Sequence, residues 1–71
     1  MDLVFYDMDG NVIDVGDYCV PVEGRKVKII ERTTEPEYGG EVLIGRQIKY
    51  PDMYSILTKD NLAAQFRKVK P

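Results

Sequence analysis

Lys26-Val27-Lys28-Ile29-Ile30-Glu31-Arg32 alternates charged and aliphatic residues over much of its length. A period of two sends successive side chains to opposite faces, so the stretch reads as a β-strand with one wet face. Val27 and Ile29 should point inward, and Lys26 and Lys28 outward. No stretch sustains the 3.6-residue period of an amphipathic helix over about twelve residues, so the fold is expected to be built from strands.

The flanking segments are read the same way. Upstream, Glu23-Gly24 is a turn, and Tyr18-Cys19-Val20 is a strand. Pro21 ends that strand or sets it at an edge, because proline cannot donate to a ladder. Val15-Gly16-Asp17 makes a bend. Leu3-Val4-Phe5-Tyr6 is rich in strand formers. Asp9-Gly10-Asn11 then turns the chain, and Val12-Ile13 returns antiparallel, giving an N-terminal β-hairpin over 1–14. Downstream, Thr34–Gly40 is the longest loop, with Pro36, Gly39 and Gly40 suited to a hairpin tip. Glu41–Arg46 is a strand in which Gly45 marks a bulge or bend. Tyr50-Pro51-Asp52 turns again, and Met53–Thr58 is the next strand. Lys59–Ala64 makes one short helical turn capped by Thr58 or Asp60. Gln65–Val69 is the last strand. Short strands at close spacing imply an all-β domain over 1–71. The economical arrangement is a small barrel of five or six short strands, since closure hides strand edges.

A 71-residue chain is one domain with a marginal core, burying only about 60% of its unfolded surface. The single cysteine, Cys19, excludes an internal disulfide, and the absence of histidine excludes a His-based zinc site and any Ser-His-Asp or Cys-His arrangement. No metal and no cofactor is expected. Cys19, between Tyr18 and Val20, reads as a small buried apolar residue. A lone cysteine, no apolar run of membrane length and no signal-peptide layout in Met1-Asp2-Leu3 point to a cytoplasmic protein without a membrane span. The formal charge of −2 is unevenly spread: residues 1–22 carry five acids and no base, whereas residues 23–71 carry seven acids and ten bases. Such a split can mark a binding face.

Two resemblances follow from these segments. Val15–Val20, Gly24–Ile30 and Tyr54–Leu62 resemble the layout of small SH3-like barrels, among them KOW-type domains and small phage and prophage proteins of that shape. The resemblance implies a strand after Gly16-Asp17, a glycine before the second strand, and a helical turn at Asp60-Asn61-Leu62 between the last two strands. A second glycine of the KOW pattern, expected shortly after Gly24, is absent. Separately, Leu3–Asp14 resembles the first motif of haloacid dehalogenase-like phosphatases. That resemblance implies an aspartate nucleophile at Asp7 and an acid–base aspartate at Asp9. Asn11 departs from it, standing where that family usually has Thr or Val. The rest of the chain also departs: it is too short for an α/β sheet, has no helix after the motif and has no downstream acidic pair. An EF-hand reading aligned on Gly10 fails at Phe5 and Gly16. Asp9-Gly10-Asn11 is therefore read as a turn, and no catalytic residue is expected.

Two sets of contact residues remain. Five tyrosines are many for this length, and tyrosine is favoured at interfaces. Tyr6, Tyr18 and Tyr54 read as partial core cover with wet hydroxyls. Tyr38, at a loop tip, and Tyr50, before Pro51, are the candidate protein contacts. Arg25, Lys26, Lys28, Arg46 and Lys49 would share one face if their strands pair. Beside aromatics, that face would suit single-stranded nucleic acid. On sequence alone the preferred reading is ordinary solvated strand exteriors with Glu31 and Glu41 as partners. The expected function is a non-enzymatic binding module acting through protein contacts, a phage or prophage accessory protein. The alternative is a nucleic-acid-binding KOW-type barrel. Self-association into a homo-oligomer would extend so small a core.

Overall fold

The alternating stretch pairs with its neighbour to form the longest hairpin of the protein. Strands β4 (Val27–Glu35) and β5 (Gly40–Gln47) run antiparallel from Val27↔Gln47 to Glu35↔Gly40. The computed structural model describes residues 3–71, so Met1 and Asp2 of the 1–14 segment lie outside the described residues. Thr33, just before the expected loop, and Thr34, its first residue, continue β4 opposite Val42 and Glu41. β-Branched residues suit such pairing. The true connection is a 3-10 turn, Pro36–Tyr38, followed by Gly39 at φ 85. The Gly39 N–H donates to the Pro36 carbonyl at 3.1 Å. That left-handed backbone strongly favours glycine.

An irregularity interrupts the hairpin. Ile29 pairs with Gly45, yet the next pair is Glu31↔Ile44, so β4 holds one extra residue there. The bulge lies on β4, across from Gly45 rather than at it. Unbroken alternation from Ile29 would turn Glu31 inward. The bulge instead leaves Glu31 exposed and puts Arg32 on the Leu43 side of the sheet. There the Arg32 guanidinium lies 5.0 Å over the Phe5 ring.

The remaining strands complete two antiparallel sheets. The larger has the order β6 (Tyr54–Leu57), β5, β4, β3 (Tyr18–Pro21), β7 (Phe66–Val69). The smaller is the hairpin of β1 (Phe5–Tyr6) and β2 (Val12–Ile13), paired Phe5↔Ile13 and Tyr6↔Val12. Pro21 pairs with Phe66 at the end of β3, where β4 has already separated after Cys19↔Val27, so no ladder bond to β4 is lost. Helix α1 (Lys59–Gln65) links β6 to β7. Thr58 caps it, its Oγ1 accepting from the Asn61 N–H at 3.2 Å. Seven residues are too few for a helix stable by itself, and the buried Leu62 anchors it. No helix among the described residues is long and apolar enough to cross a membrane.

Every strand and α1 contribute to one cluster: Phe5, Ile13, Cys19, Val27, Ile29, Leu43, Leu57, Leu62 and Phe66. The N-terminal hairpin is therefore part of the body of the fold, not an appendage to it. Gly45 lies within the same packing. A Cβ there would stand 3.1 Å from Val27 Cγ2 and 3.2 Å from Leu57 Cδ1. Any larger residue there would have to push these side chains back by a few tenths of an ångström.

Candidate functional site

The phosphatase-like motif builds a clamp. Asp7 is 3% exposed. Its Oδ1 accepts from the backbone N–H groups of Asp9 (2.9 Å) and Asn11 (2.8 Å). Its Oδ2 accepts from Asn11 Nδ2 (3.2 Å) and from the Lys68 N–H on β7 (2.7 Å). Four donors occupy the acceptor capacity of one carboxylate. Burial pushes the Asp7 carboxyl upward, but the bonds from Lys68, Asn11 and Asp9 outweigh it and hold the pKa below the ordinary aspartate value. Asn11, the residue that departs from the phosphatase pattern, supplies the side-chain bond. The Met8 N–H donates to the Phe66 carbonyl at 2.8 Å, tying the same turn to β7 a second time.

Asp9, Asp14 and Asp17 are engaged as well. Asp9 meets Arg67 at 2.7 Å, Asp14 meets Arg32 at 3.7 Å, and Asp17 meets Lys68 at 3.5 Å. Among the described residues no group of His, Cys, Asp and Glu gathers to hold a metal ion. Glu41 also takes Arg32, at 2.9 Å. That contact, joined by the Leu3 N–H, lowers its pKa. Cys19 is buried, and its thiol is pushed up to about 11 by burial and then by the charges of Asp17 and Asp7. A thiolate nucleophile is thereby disfavoured.

The basic residues do gather. Cross-strand partners share a face of a sheet. The pairs Tyr54↔Arg46, Arg46↔Lys28, Lys28↔Tyr18 and Tyr18↔Val69 make one row across all five strands. This row lies on the face away from the core, since the flanking pairs Gly45↔Ser55 and Cys19↔Val27 carry the buried side. Lys28 and Lys26 hold their ammonium groups 5.6 and 5.7 Å above the Tyr18 ring. Arg25 and Lys49 flank the Tyr50 ring at 4.8 and 5.9 Å. The Ile48 N–H donates to the Lys26 carbonyl, which keeps the two tyrosine clusters adjacent.

None of Arg25, Lys26, Lys28, Arg46 and Lys49 forms an ion pair among the described residues; the cations that do are Arg32, Arg67 and Lys68. Among the described residues the acidic stretch thus uses three of the ten bases of the second half, and these five are among the seven it leaves unneutralised. Of the two expected partners, Glu41 is bound to Arg32. Glu31 stands exposed on the same face, across from Ile44, in no ion pair among the described residues. Tyr50 belongs to the basic cluster, at 45% exposed. Tyr38, in the 3-10 turn, is exposed at the far end of the β4–β5 hairpin, apart from it. Tyr54, expected from its sequence as core cover, is instead 59% exposed and the outermost member of the row. Its place beside Arg46 depends on register, which no local pattern reveals.

A groove of about 290 Å³ lies between β6 and β7, which share no pairing. Val27, Leu57 and Phe66 line it, with Arg25, Gln47 and Asn61 among its polar groups. In comparison with known proteins, no family model, no curated protein and no solved structure matches this chain.

Proposed function

We propose that this protein is a non-enzymatic binding module whose ligand is single-stranded nucleic acid, carried on the row of tyrosines and cations outside the five-stranded sheet. The observation that carries the reading is the set of five cations with no acid partner among the described residues, arrayed on the rings of Tyr18 and Tyr50 and beside Tyr54. Ammonium and guanidinium groups neutralise phosphates, and exposed rings stack on unpaired bases. An SH3-like barrel of the KOW type is the architecture we assign. The strand order β6-β5-β4-β3-β7, with α1 between the two edge strands, supports it.

Fluorescence anisotropy with labelled single- and double-stranded oligonucleotides tests the function. Single strands should bind more tightly than duplex, and log K should fall against log salt with a slope of about −2 to −3.5, as three to five phosphate contacts require. Absence of binding at low salt would remove the reading. A second reading, a phage or prophage accessory protein working through protein contacts, is favoured by the β6 edge. Tyr54 and Ile56 are exposed there, with Met53 beside them, and an unpaired edge can accept a partner's strand. Tyr54 and Ile56 would then be the residues to substitute first, with Tyr38 and Tyr50 as the other exposed candidates.

A further inference from the structure

The groove between β6 and β7 opens beside the basic face. Its floor is apolar, made by Val27, Leu57 and Phe66. Around that floor stand Gln47, Asn61 and Gln65, whose side-chain amides make no hydrogen bond within the described residues. Each amide offers both donors and an acceptor. Arg25 belongs to both places: it lines the groove, and its guanidinium lies 4.8 Å over the Tyr50 ring. Glu23 is the one acid among the lining residues.

This inference rests on the nucleic-acid reading and makes it more specific. We propose that the groove is a subsite for one unstacked nucleobase of the bound strand, and that it favours a base carrying an exocyclic amine. An apolar floor rimmed by unsatisfied amides suits a flat heterocycle with polar edges. The Glu23 carboxylate repels phosphate, so the backbone keeps to the Arg25 side and the base turns inward. A carboxylate accepts from an exocyclic amine and has no donor for a carbonyl oxygen at the same position. Cytosine presents an amine where thymine presents an oxygen, so the groove discriminates between two bases of the same size.

The test compares labelled oligo-deoxycytidine and oligo-deoxythymidine of about 12 nucleotides, within the usual span of a small binding domain, at neutral pH. The cytosine tract should bind about tenfold more tightly, the discrimination of one charge-assisted hydrogen bond in a solvated groove. Glu23→Gln lies on an exposed turn outside the core and should fold normally. It should erase that preference while strengthening binding to the thymine tract, because an acid that repels the strand is gone and the glutamine amide can donate to the thymine carbonyl. Equal binding of both tracts to the wild type would overturn the subsite and leave the basic face intact. A preference that persists in Glu23→Gln would overturn the assignment to this groove. Failure of both tracts to bind at low salt would overturn the subsite together with the reading beneath it.

Discussion

Asp7 shows how one residue type can serve two quite different ends. A carboxylate at the end of an apolar strand, two residues before another, fits covalent phosphoryl transfer, but each oxygen here already holds two donors. Replacing Asp7 with Asn removes the charge and turns an amide group toward an N–H. The expected loss is about 3 kcal/mol, the scale of buried hydrogen bonds to a charged group. That is a large share of the roughly 4–10 kcal/mol available to a domain of this length. Urea unfolding of the two proteins at neutral pH measures it. The pH dependence follows from the sign of the shift. The folded carboxyl titrates below its unfolded value, so the native state binds fewer protons between the two. The Asp7 contribution is complete above the unfolded value. It is lost as pH falls through the folded one, and the gap between wild type and variant should close in that acid range. Cys19 offers a second check at this scale. Buried, with its pKa pushed up to about 11, it should resist thiol reagents near neutrality and react only at the rate at which the fold opens. Prompt labelling of the native protein would contradict that placement.

Elements were legible where local chemistry decides them. The strands around Val27 and Ile29, the Asp9-Gly10-Asn11 turn and the helical turn after Thr58 follow from period, glycine and cap. The β4 bulge did not, because Ile29-Ile30 in sequence carries no sign of which residue will lose its partner. Extension of β4 through Glu35 was also hidden, since Thr33 and Thr34 suit a loop as well as a strand until Val42 and Glu41 lie opposite them. Gly45 marks the irregularity from the other side of the ladder. Gly45→Ala would place a methyl 3.1 Å from Val27 and 3.2 Å from Leu57. We expect a loss of about 1–3 kcal/mol from overpacking, read as a lower thermal midpoint. An unchanged midpoint would mean that Val27 and Leu57 can yield to the added methyl without cost.

At the scale of the whole molecule, the decisive facts are long-range pairings. Asp7 reaches Lys68 across 61 positions, and this contact makes the hairpin part of the core. Tyr18, Lys28, Arg46 and Tyr54 come from four strands and meet only through register. The sequence named all five cations of the face but could not tell whether they would be neutralised. The outcome turned on the pairing of Asp14, Asp17 and Glu41 with other bases. A double variant, Lys28→Ala with Arg46→Ala, should weaken oligonucleotide binding about uniformly across sequences and flatten the salt slope by about 1.4, two phosphate contacts on a single strand. Both side chains lie outside the core cluster, so stability should change little.

The most direct test is a backbone amide NMR titration with a short single-stranded oligonucleotide at low salt. The largest shifts should fall on Tyr18, Lys28, Arg46, Tyr50 and Tyr54, and they should reverse as salt is raised. Shifts confined to Tyr38 and its hairpin tip, or no shifts at all, would contradict the basic face as the working surface.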